Sequence, residues 1–267
     1  MSISTRTQSG GVLAVRPLPF IASLRRTGST LLSRALTSWP REFVFREPGL
    51  VRRRCRVKPD DVDLFDGIGV DLRQLFVKLR RAPLPDRAAV FVNHILPVLR
   101  SVVPHIGIKE IHHEHWRDLA DAIELRVVVT ARDPRDIYMS LVAKQHRRRK
   151  PIRLDGPFGP EAIARNLKVD FEHQRAMLRE LPCLAIRYED LCRDHKVLAS
   201  IRAFFELPPS SDHGDLHRLP EHVLAQHGSA ITDQSVGRWR TAEPGLRSDA
   251  ARMLELMPEY AEFWGYE

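Results

Sequence analysis

Arginine, glycine and hydroxyl residues crowd the segment SLRRTGSTLLSRAL (Ser23–Leu36), where a short apolar run, Pro19–Ala22, hands over to a helical pattern. Gly28 allows a close backbone approach, and the amides of Gly28, Ser29 and Thr30 fall where a helix start leaves them without partners. Ser29 and Thr30 add hydroxyl donors, and Arg26 can reach the same place. That set of groups suits the capture of an anion. The same residues also read as a plain helix start, capped by Ser29 or Thr27 with the arginines in water, and the segment alone leaves both readings open. It is not a Walker A loop, because there is no earlier glycine and no Gly-Lys pair.

A second segment, VVVTARDPRDIYMSLVAKQH (Val127–His146), has the same strand-to-helix form. Asp133 and Pro134 are explained as cap and first helical residue. Arg132 at the strand end is not, nor is Ser140, which faces back toward it two turns into the helix. Groups able to give or take a proton stand in two further places. FREPGL carries Glu47, and GIKEIHHEHW carries Lys109, Glu110, His112 and His113 at the end of another strand pattern. Each residue taken singly also fits an ordinary surface position.

The elements that must hold these residues alternate short apolar runs with longer amphipathic segments, which indicates an α/β sheet with covering helices. Strands are expected at Leu18–Leu24, Phe43–Phe45, Ile106–Ile108, Arg126–Thr130 and Cys183–Arg187. Helices are expected at Ser29–Trp39, Arg87–Val102, Arg135–Arg147, Pro160–Glu180, Asp190–Phe205 and Arg247–Leu256. The strands are continuously apolar rather than alternating, which predicts a mainly parallel sheet buried on both faces. Ligands of such a sheet bind beyond the carboxyl ends of its strands. Arg147–Pro160 and Leu207–His222 read as long surface loops. Within and near them, the Arg147–Lys150 run reads as a solvated helix end, and His213, His217, His222 and His227 as solvated side chains. No linker is apparent, so residues 17–267 are read as one domain after a flexible N-terminus, residues 1–16.

The 267 residues carry a net charge of +8, and of 42 basic residues 35 are arginine and 7 lysine. Guanidinium is the better bidentate partner for phosphate and sulfate, although the balance alone permits nucleic acid, an anionic membrane or a small polyanion. Cys55, Cys183 and Cys192 are isolated thiols, which fits a reducing compartment and neither a disulfide framework nor a zinc site. No apolar run approaches a membrane span, and the first residues lack the apolar block of a secretory signal. A cytoplasmic location is expected.

Four segments resemble the sulfotransferase family that uses 3′-phosphoadenylyl sulfate (PAPS). RRTGSTLL is similar to its 5′-phosphosulfate loop, which implies donor contacts from Arg25, Arg26, Thr27, Gly28, Ser29 and Thr30. ARDPRDIYMS is similar to its 3′-phosphate motif, implying that Arg132 and Ser140 grip that phosphate. IRYEDL resembles the segment whose tyrosine approaches the adenine, here Tyr188. SVGRWR resembles the loop that closes over the nucleotide, implying roles for Ser235, Gly237, Arg238 and Trp239. One departure is visible. Where many members carry Arg-Lys-Gly before this loop, the chain has Thr232-Asp233-Gln234, and Arg238 or Arg240 is expected to compensate.

The resemblance implies a P-loop NTPase-like fold and in-line transfer of a sulfuryl group from PAPS to a hydroxyl or amine acceptor, without a metal. Arg26 would neutralise charge on the leaving phosphate. An acceptor hydroxyl would need a base: FREPGL resembles the Glu-Pro segment of carbohydrate-type sulfotransferases, and several members carry a Lys and a nearby His where this chain has Lys109 and His112, so Glu47 is slightly favoured over the Glu110/His112 group. The acceptor is expected to be a small molecule, glycan or lipid, not nucleic acid, with a pocket built from Val51 to Val103. Neither the acceptor's identity nor the oligomeric state is encoded in any motif. Two other readings are a nucleotide or nucleoside kinase, which the missing Gly-Lys disfavours, and a non-catalytic basic module for nucleic acid or sulfated glycan.

Overall fold

Five strands form one fully parallel sheet in the computed structural model, which describes residues 16–147, 158–194, 196–209 and 231–267. The strands are β1 (Leu18–Ser23), β2 (Glu42–Arg46), β3 (His105–Glu110), β4 (Leu125–Ala131) and β5 (Cys183–Arg187), in the order β2-β3-β1-β4-β5. The chain leaves β1 toward β2 on one side and later adds β4 and β5 on the other. The carboxyl ends of β1 and β4 therefore flank the point where strand order reverses, the usual ligand crevice of an open parallel sheet.

Alternation along the strands serves two cores. Phe20, Ala22, Val127 and Val129 face one, and Ile21, Val44 and Val128 face the other. Both faces are covered, as the continuous hydrophobicity of the strands requires. The helices are α1 (Ser29–Ala35), α2 (Pro59–Asp66), α3 (Leu72–Arg81), α4 (Arg87–Val90), α5 (Leu96–Val102), α6 (Trp116–Ala122), α7 (Pro134–Arg147), α8 (Pro160–Glu180), α9 (Tyr188–Arg193), α10 (Lys196–Phe204), α11 (Pro244–Leu256) and α12 (Pro258–Trp264). No helix among the described residues is long and apolar enough to cross a membrane.

Several expected boundaries move for local reasons. The helix expected over Arg87–Val102 is broken by a wide π-turn at Phe91–Ile95, because Pro97 has no N–H to continue the regular ladder. The helix expected over Asp190–Phe205 divides at Asp194, whose carboxylate accepts from the Lys196 amide (2.8 Å) and starts a new helix. The first helix ends at Ala35 rather than Trp39. There Thr37 donates to the Ser33 carbonyl and accepts from the Val44 amide, turning the chain into β2. Helices α2, α3, α6 and α12 have no counterpart among the expected helices. Most of the expected N-terminal tail, nearly all of the two long loops, Arg148–Lys150 and the four loop histidines lie outside the described residues.

Candidate active site

Strand β1 ends in a turn that is held from below by hydroxyls. Thr130 on β4 donates to Ser23 Oγ (2.9 Å) and shares a hydrogen bond with Thr27 Oγ1 (2.7 Å). Thr27 also donates to the Leu24 carbonyl at 2.9 Å. Thr27 is buried, and its side chain ties the turn after β1 to β4. Above this tie the chain passes twice through left-handed conformation, at Arg26 (φ 70°) and Gly28 (φ 77°). Arginine rarely adopts that geometry. At Gly28 even a methyl group is excluded, since a Cβ would lie 2.1 Å from Cδ2 of Tyr188. No side chain caps α1.

The turn after β4 meets the first one directly. Arg132 Nη1 donates to the Arg26 carbonyl (3.1 Å), Nη2 donates to the Ser235 carbonyl, and the guanidinium lies 4.5 Å over the Tyr188 ring. Arg132 Nε is buried with no partner. The backbone of Arg132 is clamped by one hydroxyl: Tyr260 accepts from its N–H (3.0 Å) and donates to its carbonyl (2.9 Å). Ser140, on α7, accepts from Arg26 Nε at 2.9 Å. The two arginine motifs, more than a hundred residues apart, therefore form one basic cleft. Burial, followed by the charges of Arg132 and Arg147, lowers the pKa of Arg26, a sign of a site short of negative charge.

A C-terminal segment closes one wall. Asp136 accepts from the amides of Gly237 (2.6 Å) and Trp239 (3.3 Å), and Arg135 lies 4.1 Å over the Trp239 ring. Tyr188 and Ser235 hydroxyls meet at 2.6 Å. Arg238 and Arg240 are exposed, and Arg240 covers Trp239. Asp136, Tyr260 and Glu189, whose carboxylate accepts from the Asp133 amide and from Tyr266, were not identified from sequence. Asp136 lay within a recognised motif, yet its partners are about a hundred residues away and only the fold joins them.

The other wall carries the candidate bases. Lys109 Nζ donates to Glu47 Oε1 at 2.5 Å, and the Glu47 amide donates to the Lys109 carbonyl at 2.7 Å. Burial raises the pKa of Glu47, and the charge and hydrogen bond of Lys109 outweigh it, leaving the carboxyl below its usual value. The charge of Glu47 acts on Arg26, so this wall faces the first turn. Lys109 itself is buried, which lowers its pKa despite Glu47. Glu110 points elsewhere: it is buried, accepts from the Gly49 amide at 2.6 Å, and is raised by burial to about 7. His112 Nε2 lies 2.8 Å from Arg25 Nη2 and its Nδ1 lies 3.7 Å from Asp170. His112, Glu114 and Asp170 also place one potential metal ligand each within 4.8 Å of the others. Arg52 already holds Glu114 at 3.1 Å, and Arg25 holds His112.

The sulfotransferase family model matches residues 17–212, most of the chain. The chain belongs to the sulfotransferase family. The matched span contains both arginine turns, Glu47, Lys109 and Tyr188, while the Ser235–Trp239 segment lies beyond it. The fold is similar to that of the sulfotransferase domain from the curacin biosynthetic pathway, at 16% identity and TM-score 0.60, covering 95% of this chain and 99% of that one. It is also similar to the sulfotransferase STF9 from Mycobacterium avium, at 17% identity and TM-score 0.54, covering 94% and 77% respectively. No match is found among curated proteins. Family and fold make this sulfotransferase a transferase, and they do not favour the kinase or basic-module readings.

Proposed function

We propose that the chain moves a sulfuryl group from PAPS to a hydroxyl or amine acceptor. The observation that carries this reading is the union of the two arginine turns, with Arg132 bonded to the Arg26 carbonyl and Arg26 bonded to Ser140. A donor with anionic groups at two positions needs two cationic grips in one cleft. The residues fit such a ligand: Arg132 Nε is a buried donor still without an acceptor, and no side chain caps the start of α1 beside it.

In this reading Arg132 and Ser140 hold the 3′-phosphate, and Tyr188 and the Ser235–Trp239 segment flank the nucleotide. Arg25, Ser29, Thr30 and the turn amides receive the 5′-phosphosulfate. Arg26 exchanges Ser140 for the bridging oxygen and stabilises the charge that develops there. The acceptor oxygen attacks sulfur in line while the sulfur–oxygen bond to the phosphate breaks, and adenosine 3′,5′-bisphosphate leaves. Glu47, ionised at neutral pH, takes the acceptor proton, with Lys109 aiming its carboxylate. The low pKa of Glu47 makes it a modest base, adequate for a proton already loosened by bond formation.

Radiolabelled PAPS offered with a panel of alcohols, phenols and amines tests the reading. Label should appear in at least one acceptor. Failure to bind the donor at all would overturn the assignment.

A further inference from the structure

We propose that Glu110 is a positioning residue for the reaction: its carboxylate holds the Glu47–Gly49 turn through the Gly49 amide and thereby aims the Glu47 carboxylate. This inference rests on the reading of Glu47 as the proton acceptor.

Consecutive residues at the end of β3 grip that turn on opposite sides. Lys109 takes the Glu47 side chain (2.5 Å) and Glu110 takes the Gly49 amide (2.6 Å), while the Lys109 carbonyl takes the Glu47 amide (2.7 Å). The turn needs holding. Glu47 sits at φ 57° and Gly49 at φ 59°, a region in which a non-glycine residue is strained. Such conformations persist only where their surroundings over-determine them. At Gly49 a Cβ would lie 2.7 Å from the Arg54 carbonyl, so only glycine fits there.

Hydrophobic packing does not explain a carboxylate at Glu110. It is buried at the carboxyl end of an inner strand, where an ionised group is costly unless bonded. Its hydrogen-bond donor is an amide of the turn, not a guanidinium. Nor is it placed to meet an acceptor directly, which separates it from Glu47. The groups around it are few. Burial works hardest against its charge; the Gly49 bond, Lys109 and Arg52 favour ionisation, and Glu47 opposes it. His113, which lies 3.3 Å from the Glu110 carbonyl, is pushed down to about 4 by burial and is neutral, and the Cys55 thiol, pushed up to about 12, is neutral too.

The test uses two variants of the full chain. Release of labelled sulfate from PAPS, with water as acceptor, reports turnover without requiring the natural acceptor, and the Gly49 amide resonance reports the contact directly. Glu110→Gln keeps an acceptor oxygen and loses the charge. It should retain turnover within about threefold, with the Gly49 resonance close to its wild-type position. Glu110→Ala should lose about tenfold or more in turnover and shift the Gly49 resonance, while binding adenosine 3′,5′-bisphosphate as wild type does, which also shows that it is folded. A Glu110→Gln as inactive as Glu110→Ala, a Glu110→Ala with wild-type turnover, or a Gly49 resonance that Glu110→Ala leaves in place would each overturn the proposal. If wild type releases no sulfate and binds no donor, the sulfotransfer reading has failed instead, and the Gly49 resonance of Glu110→Ala still decides the contact.

Discussion

The two strand-to-helix turns carry similar residues and treat them oppositely. After β4, the amino end of α7 is filled by the chain's own anion: Asp133 accepts from the Arg135 amide (2.9 Å) and pairs with the Arg135 guanidinium (2.9 Å). The Arg132 guanidinium lies apart from this pair and donates to the Arg26 and Ser235 carbonyls, with its Nε still without a partner. After β1, two residues are left-handed, no side chain caps α1, and the amides of the turn stay available. One turn is satisfied internally and lends a guanidinium; the other is held strained and open by its neighbours. On the proposed reading, the turn satisfied internally holds the remote phosphate and the open one receives the reacting phosphosulfate.

Substitutions break that contrast in graded ways. The largest effect is expected from Arg132→Ala, which should weaken adenosine 3′,5′-bisphosphate by about 2–4 kcal/mol, the range for stripping a partner from a buried charged group. Binding of adenosine 5′-monophosphate, which has no 3′-phosphate, should be nearly unchanged; equal losses in calorimetry would mean Arg132 supports the fold or the 5′ end. Arg26→Ala should act on rate instead. An electrostatic donor of this kind is worth about 3 kcal/mol, or roughly a hundredfold in turnover, with donor affinity far less altered. Turnover within about twofold of wild type would remove Arg26 from the reaction.

Gly28→Ala sharpens the comparison sterically. It adds a left-handed penalty of about 1–2 kcal/mol and drives a methyl into Tyr188, so the melting temperature and donor affinity should fall together. An unchanged Tyr188 environment by fluorescence would contradict this. Ser140→Ala removes one hydroxyl and should cost about 0.5–1.5 kcal/mol of bisphosphate affinity, with the same selectivity over the monophosphate as Arg132→Ala.

The smallest effect is on stability against pH. Because Glu110 is raised in the fold, the stability it contributes is fully present below the unfolded carboxyl value of about 4.3. That stability is lost as pH rises through about 7. Comparing melting temperatures of wild type and Glu110→Gln across this range isolates the effect, since His113, lowered and therefore opposite in sign, is common to both. Parallel curves would show that Glu110 does not titrate there.

The sheet that carries both arginine turns was largely legible from sequence because its signals are local. A β-branched run such as Val127–Val129 declares a buried parallel strand, as the pairing of β4 with β1 and β5 bears out. What stayed hidden depends on partners far along the chain. Tyr260 clamps the Arg132 backbone across 128 residues, and Gln174 on α8 donates to the Ala22 carbonyl (2.9 Å) across 152, steadying the end of β1. No spacing rule links such pairs. The choice between Glu47 and Glu110 was equally invisible. It turns on the register that sets Arg46 opposite Lys109, placing Glu47 against the Lys109 ammonium while Glu110 faces inward to Gly49. Helix division at Pro97 was readable in principle, since a proline within a helical pattern interrupts the ladder.

The central claim is that both arginine turns hold one donor with anions at two positions. Calorimetry of the wild-type protein with adenosine 3′,5′-bisphosphate, adenosine 5′-monophosphate and ATP tests it most directly. The bisphosphate should bind more tightly than the monophosphate by roughly the 2–4 kcal/mol that Arg132 and its neighbours supply, and more tightly than ATP. Equal affinity for bisphosphate and monophosphate, or binding of ATP alone, would contradict the account.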